Sequence, residues 1–319
     1  MIILDVEGKC KGFFEKNRKK LKGGSRSGII SNIWASILSK NGGYRVSMIK
    51  IKDYVRVGSL EEAYELNQKR SACILGGMLW TKMGQRQVQT AIDLSGLGLD
   101  QIEETEDAWK IGCMVSLRDL ELHEGLNELS CNMIRESVRS IVGVQFRNLA
   151  TIGGSIFGRF GFSDVLTCFL ALDTEVELYK GGIISLEEFA KMERDNDILV
   201  RVIVKKTPGK GSYQSHRNTK TDFPVLTCTA SLIGEEARTV IGARPARAVV
   251  VEDKESILKN FKHMTNKQRT EAIEKFAEYA AEHVTTAGNM RASAEYRTLL
   301  VKVLIRRTWE AVGGMKNEY

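Results

Sequence analysis

The chain has 319 residues, of which 43% are hydrophobic and 27% charged, an ordinary globular composition with room for about two domains. No apolar run approaches the roughly 18 residues of a membrane span, and Ile2-Ile3-Leu4 before Asp5 is too short for a secretory leader, so a cytoplasmic protein is expected. The net charge of +7 sits entirely in residues 1–47, with ten Lys and Arg against three Asp and Glu, while the other 272 residues carry 37 of each sign. That basic segment includes the flexible stretch Gly23-Gly24-Ser25-Arg26-Ser27-Gly28. It reads, in descending order of preference, as a disordered or dispensable leader, a partner-docking arm or a nucleic-acid arm.

From Met48 the elements follow one another in a regular order. Ile49–Tyr54 predicts a strand, and Ser59-Leu60-Glu61-Glu62 a capping box that opens a helix to about Lys69. Ala72–Leu75 predicts a buried strand, followed by strands at Gln89–Leu94 and Trp109–Met114. Ser116 caps a short helix toward His123, and the apolar spacing of Leu126, Leu129, Met133 and Ile141 predicts one long helix over 126–141. Beyond it, Val176 and Leu178 end an apolar stretch as a strand, Ser185-Leu186-Glu187-Glu188 opens a short helix, and Asp197–Lys206 alternates as a strand. Thr207-Pro208-Gly209-Lys210-Gly211 breaks the pattern, which places a domain boundary near residue 210. The second domain is expected to hold strands at Tyr213–Asn218, Val225–Ile233 and Arg238–Ile241, then helices at Thr265–Glu282 and Ser293–Val312. The last helix is expected to bury Tyr296, Leu299, Leu300, Val303 and Leu304.

Two glycine pairs carry the chemistry. Gly76-Gly77 closes the apolar run Ala72-Cys73-Ile74-Leu75, and Gly153-Gly154 lies between Ile152 and Ile156. Each reads as a tight turn leaving a strand, where absent Cβ atoms let backbone N–H groups surround a diphosphate. The six cysteines lie far apart and read as small buried side chains, and the four histidines show no metal-ligand spacing.

Gln145-x-Arg147-Asn148-x-Ala150-Thr151-Ile152-Gly153-Gly154 resembles the second flavin-binding signature of the FAD subunits of molybdenum hydroxylases, the xanthine dehydrogenase and carbon monoxide dehydrogenase family. Leu75-Gly76-Gly77 resembles the first signature, and Ala237-Arg238, Gly242 and Pro245-Ala246-Arg247-Ala248 the carboxy-terminal flavoprotein domain. The resemblance runs from about Met48 to about Gly314. It implies an α+β protein: a bipartite FAD-binding domain of two α/β subdomains at 48–210, then a smaller sheet-and-helix domain at 211–314. It implies FAD as cofactor, with the diphosphate across Leu75, Gly76, Gly77, Met78 and Leu79 and across Ala150, Thr151, Gly153, Gly154 and Ser155. Asp164 is read as a cofactor contact or a helix cap, and Leu199 as packing on the flavin ring or as core. Phe157, Phe160 and Phe162 could cover the ring or form a small satellite core, and Arg159 is expected to be a solvated loop arginine.

The implied partners are a molybdopterin-containing large subunit and a small subunit with two 2Fe–2S clusters. Electrons would leave the flavin to NAD or another acceptor. A flavin-less assembly subunit of the same kind of complex is the alternative, because four positions depart from the signatures. Met78 and Leu79 replace Thr and an acid, Ser155 an Asn, and Ser215 a Lys. Each lost hydrogen bond to a charged group would weaken FAD about ten- to a hundredfold. Gly153→Val is expected to block FAD while leaving the fold intact.

Overall fold

The structure, a computed structural model, describes residues 49–315. The basic segment and Cys10 lie outside the described residues, and so do the expectations that fall on them.

Three sheets organise the described chain. The first is parallel, with β1 (Lys50–Arg56), β3 (Gln87–Asp93) and β2 (Ala72–Leu75) in the order β1-β3-β2. Helix α1 (Leu60–Asn67) connects β1 to β2. The Ser59 hydroxyl accepts from Glu62 N, and the Glu62 carboxylate accepts from Gly58 N, so the start of α1 is closed from both directions. Because β2 is an edge strand only four residues long, its end at Leu75 delivers the chain into the first glycine turn.

The second sheet is antiparallel, with β4 (Ile102–Glu104), β5 (Ala108–Gly112), β8 (Leu199–Lys205), β6 (Thr174–Leu178) and β7 (Gly182–Ser185) in the order β4-β5-β8-β6-β7. Six short helices fill the chain between β5 and β6: α2 (Leu117–Leu122), α3 (Glu124–Leu129), α4 (Met133–Arg139), α5 (Val144–Arg147), α6 (Ile152–Phe157) and α7 (Asp164–Phe169). Ser116 caps α2 as expected, and Ser185 caps α8 (Leu186–Lys191).

The single helix expected over 126–141 is instead α3 and α4. Ser130-Cys131-Asn132 competes poorly for helix, and Cys131 and Asn132 adopt φ of 50° and 64°. The buried Asn127 carboxamide stabilises the break. Its oxygen accepts from Arg135 N at 2.9 Å, and its nitrogen reaches the carbonyls of Leu120, Glu121 and His123. The break also exposes Cys131, against the expectation that every cysteine is buried; Cys113, Cys168 and Cys228 are buried and Cys73 is half-buried.

The third sheet is antiparallel: β12 (Val249–Val250), β11 (Glu236–Gly242), β10 (Leu226–Ile233) and β9 (Gly209–His216). Two long helices, α9 (Asn266–His283) and α10 (Ala294–Gly313), pack on one another, and α10 packs on β9 and β10. Thr265 and Gln268 form a complete capping box on α9. The buried face of α10 is rotated from the expected one. Leu300, Val301, Leu304, Ile305, Trp309 and Val312 are buried, whereas Tyr296 and Leu299 are 42% and 56% exposed. Buried Arg297 and Trp309 set that rotation. The Arg297 guanidinium donates to Val225 O, Ala287 O, Ala292 O and Asn289 Oδ1, and the Trp309 indole donates to Thr239 Oγ1 at 2.9 Å. An apolar stripe alone does not reveal an arginine that is satisfied by four acceptors.

The apolar side chains form two large cores. One joins β3, β5, β6, β8 and the short helices, with Tyr213 and Val240 reaching in from the third sheet; the other joins β10, α9 and α10. Among the described residues no helix is long and apolar enough to cross a membrane.

Candidate functional site

Leu75, Gly76, Gly77, Met78, Leu79, Ala150, Thr151, Gly153, Gly154, Ser155, Asp164 and Leu199 all line one cleft of about 480 Å³. The two glycine pairs meet there, and they are not alike.

The first pair is a turn at a strand end. A Cβ on Gly77 would lie 1.8 Å from the Leu149 carbonyl oxygen, and one on Gly76 would lie 2.8 Å from Thr151 Oγ1. The two segments therefore touch backbone to backbone, which only glycine permits. Met78 follows with φ of 58°, and its carbonyl accepts from Lys82 N. The amides of Gly76, Gly77, Met78, Leu79 and Trp80 have no acceptor among the described residues. Five consecutive donors in residues that line a cleft are suited to an anion.

The second pair is not a turn leaving a strand but the first turn of α6, capped by Thr151, whose Oγ1 accepts from Gly154 N at 3.2 Å. Its amides are already used. Ile152 N donates to Val115 O, Gly153 N to Cys113 O, and Ser155 N to Thr151 O. A Cβ on Gly153 would lie 2.5 Å from the Cys113 carbonyl oxygen. Gly153→Val would therefore push α6 away from the end of β5, and the expectation that it leaves the fold intact is corrected. Gly154 is exposed and meets only Thr151 Oγ1, at 3.3 Å. The Ser155 hydroxyl donates to Thr151 O, while the Thr151 hydroxyl has no acceptor among the described residues, and Thr151 lines the cleft.

Behind the second pair, Arg147 is buried. Its guanidinium grips Glu121 with Nε at 2.7 Å and Nη2 at 3.3 Å, and Nη1 donates to Ile141 O. Burial pushes the Glu121 carboxyl up, but Arg147 and Arg118 pull it down further, to below its ordinary value. The signature arginine thus anchors the segment that carries Thr151 and the second glycine pair.

Asp164 is the first residue of α7, whose cap is Ser163. Its buried carboxylate accepts from the Tyr213 hydroxyl and from Arg217 Nη2. Burial pushes the Asp164 carboxyl up against the opposing pull of the Arg217 cation, and the same burial holds the Tyr213 hydroxyl protonated. Arg217 Nε donates to Ser215 Oγ at 3.2 Å, and Nη1 donates to Asp222 O. Tyr213, Ser215 and Arg217 alternate along and just beyond β9 and so share one face. The lysine absent at position 215 is thereby followed, one pleat repeat later, by a buried cation in the cleft wall. Period-two reading of this strand could have found Arg217 in the sequence. Trp80, Phe146 and Phe223, which also line the cleft, gave no such signal.

Arg159 departs from its expected role as a solvated loop side chain. It is 2% exposed, its Nε donates to Phe189 O, and its guanidinium lies 3.9 Å from the centre of the Phe189 ring. Phe157 packs toward the same Phe189 ring, whereas Phe160 and Phe162 stack on one another at the cleft. Leu199 is buried at the start of β8. No group of His, Cys, Asp and Glu among the described residues could hold a metal ion.

The donors suit a dinucleotide: amides without acceptors among the described residues for a diphosphate, a cleft of about 480 Å³, and a fixed cation. Comparison with known proteins agrees. Residues 47–206 match the FAD binding domain in molybdopterin dehydrogenase, and residues 212–312 match the CO dehydrogenase flavoprotein C-terminal domain. The chain is 26% identical over 274 residues to the nicotine 6-hydroxylase medium subunit of Paenarthrobacter nicotinovorans, covering 80% of this chain and 95% of that protein. It is 30% identical over 162 residues to the uncharacterized protein YgfM of Escherichia coli, covering 49% of this chain. The match spans only 60% of that relative's length. In the reconstituted CO dehydrogenase from Oligotropha carboxidovorans, one chain has the same fold, with a TM-score of 0.72 at 22% identity over 83% of this chain and 98% of that one. The chain belongs to the FAD-binding medium subunits of the molybdenum hydroxylase family.

Proposed function

We infer that the cleft between the two glycine pairs holds FAD, and that the chain carries electrons between 2Fe–2S clusters of a small partner subunit and an acceptor. Substrate hydroxylation, xanthine dehydrogenase-like in type, is assigned to a separate molybdopterin-containing large subunit. The observation that carries this reading is the run of amides from Gly76 to Trp80, without acceptors among the described residues, in residues that line the same cleft as Thr151, Asp164 and Arg217. FAD supplies the redox chemistry when bound.

The chain's own residues bind and orient it. The first turn meets the diphosphate with backbone donors, so the departures at Met78 and Leu79 cost it no amide. Thr151 adds a hydroxyl, and the α6 turn forms the facing wall. Asp164, with Tyr213, fixes the Arg217 guanidinium in place. The domain division near residue 210 is proposed to separate this binding unit from the third sheet and its helices. The acceptor is NAD or another oxidant.

Visible absorption of the purified chain, incubated with FAD and desalted, tests the reading. Retained flavin bands are expected, and Gly154→Leu is expected to lose them. A folded, colourless wild-type chain would instead point to the assembly-subunit alternative. Anaerobic NADH then tests the acceptor, since bleaching of the flavin band couples the chain to NAD and an unbleached band points to another acceptor.

A further inference from the structure

Beyond the first glycine turn the cleft wall becomes aromatic, and Trp80 is its hub. The Trp80 ring centre lies 5.3 Å from Phe223, 5.5 Å from Phe146 and 6.2 Å from Phe162. The four rings come from four segments: the loop after β2, helix α5, the loop after α6 and the loop after β9. Phe223 is also covered by Arg291, whose guanidinium lies 4.9 Å from its centre and pairs with Asp222. Trp80 is different. It is 41% exposed on the cleft wall, and its indole N–H has no acceptor among the described residues. A large, partly exposed aromatic side chain on a ligand cleft is suited to stack on a flat ring.

We propose that Trp80 is the stacking platform for the isoalloxazine ring of FAD and makes the cleft select flavin over a bare adenine nucleotide. The inference rests on the placement of FAD in this cleft. Three observations favour the flavin end over the adenine end. Trp80 stands two residues from Met78, at most about 7 Å of extended chain, so the ring lies within reach of the linker from a diphosphate on the turn. Arg217 donates to the carbonyl of Asp222, directly before Phe223, which sets a fixed cation beside the aromatic wall. Although that guanidinium is paired with Asp164, its remaining N–H groups can stabilise the negative charge that a neighbouring flavin ring gains on reduction, a role adenine does not need. Trp80 is also 41% exposed, so a redox partner can come near a ring stacked on it.

The test uses the full chain stripped of flavin, with FAD and ADP as separate probes. Trp80→Ala should weaken FAD binding about tenfold or more, leave ADP binding within about twofold, and be largely rescued by Trp80→Phe. Unchanged FAD affinity in Trp80→Ala would overturn the inference. Equal losses for FAD and ADP would also overturn it, by placing adenine on the indole. Gly154→Leu separates this failure from that of the site itself, because its side chain enters the cleft and should weaken both probes. If Gly154→Leu binds both normally, FAD lies elsewhere and both readings fall. If it loses both while Trp80→Ala keeps FAD, the role of Trp80 alone falls.

Discussion

At the end of β2, five consecutive amides from Gly76 to Trp80 have no acceptor among the described residues, whereas at the start of α6 the amides of Ile152, Gly153, Gly154 and Ser155 all have one. Both places carry a Gly-Gly pair directly after an apolar residue, and both line the same cleft. The difference teaches that glycine serves two physical purposes here. In the first turn it frees donors and lets the backbone approach Leu149. In the second it lets α6 seat on Cys113, while Gly154 keeps the cleft wall low. One turn is a cradle and the other is a wall.

Substitutions can break this distinction. The largest effect is expected from Gly77→Val, whose side chain meets the Leu149 carbonyl. It should destabilise the chain by about 3 kcal/mol or more and abolish flavin retention, as read by denaturant midpoint and visible absorption. Arg147→Leu should cost about 3 kcal/mol, because it leaves Glu121 half-buried without its main partner.

The Glu121 carboxyl is held below its ordinary value, so its contribution is complete above about pH 4.5 and is lost as pH falls through the lowered value. Glu121→Gln should flatten that part of the stability–pH profile in thermal melts. Gly154→Leu should leave the melting temperature nearly unchanged yet weaken FAD about tenfold or more in equilibrium titrations. The smallest effect belongs to Met78→Gly. Relief of left-handed strain, about 1–2 kcal/mol, exceeds the entropy cost of glycine, about 0.5–1 kcal/mol. Because the Met78 side chain also packs on Leu75, Val88 and Ala91, the terms nearly cancel and stability should change by no more than about 1 kcal/mol, with flavin retained.

Much of the fold was legible in local chemistry. Ser59, Ser116, Ser185 and Thr265 each mark a helix start, because a short hydroxyl before a helical run has one obvious partner, an orphan amide. The meeting of the two glycine pairs in one cleft was also legible. What the second pair does with its amides was not, since the acceptor of Gly153 N, Cys113 O, comes from a segment forty residues earlier, although that of Gly154 N, Thr151 Oγ1, is local. The break between α3 and α4 depends on a single carboxamide, and the rotation of α10 on one arginine, neither of which alters an apolar repeat. The Trp80 cluster was invisible for the same reason: its four rings become neighbours only when distant loops converge.

Hydrogen exchange read by mass spectrometry, on the flavin-free chain and again with FAD bound, tests the central claim most directly. Before loading, the amides of Gly76–Trp80 should exchange fast and those of Ile152–Ser155 slowly. On loading, protection should appear chiefly in the first turn. New protection at Ile152–Ser155 with none at Gly76–Trp80 would contradict the account and make the second pair the cradle.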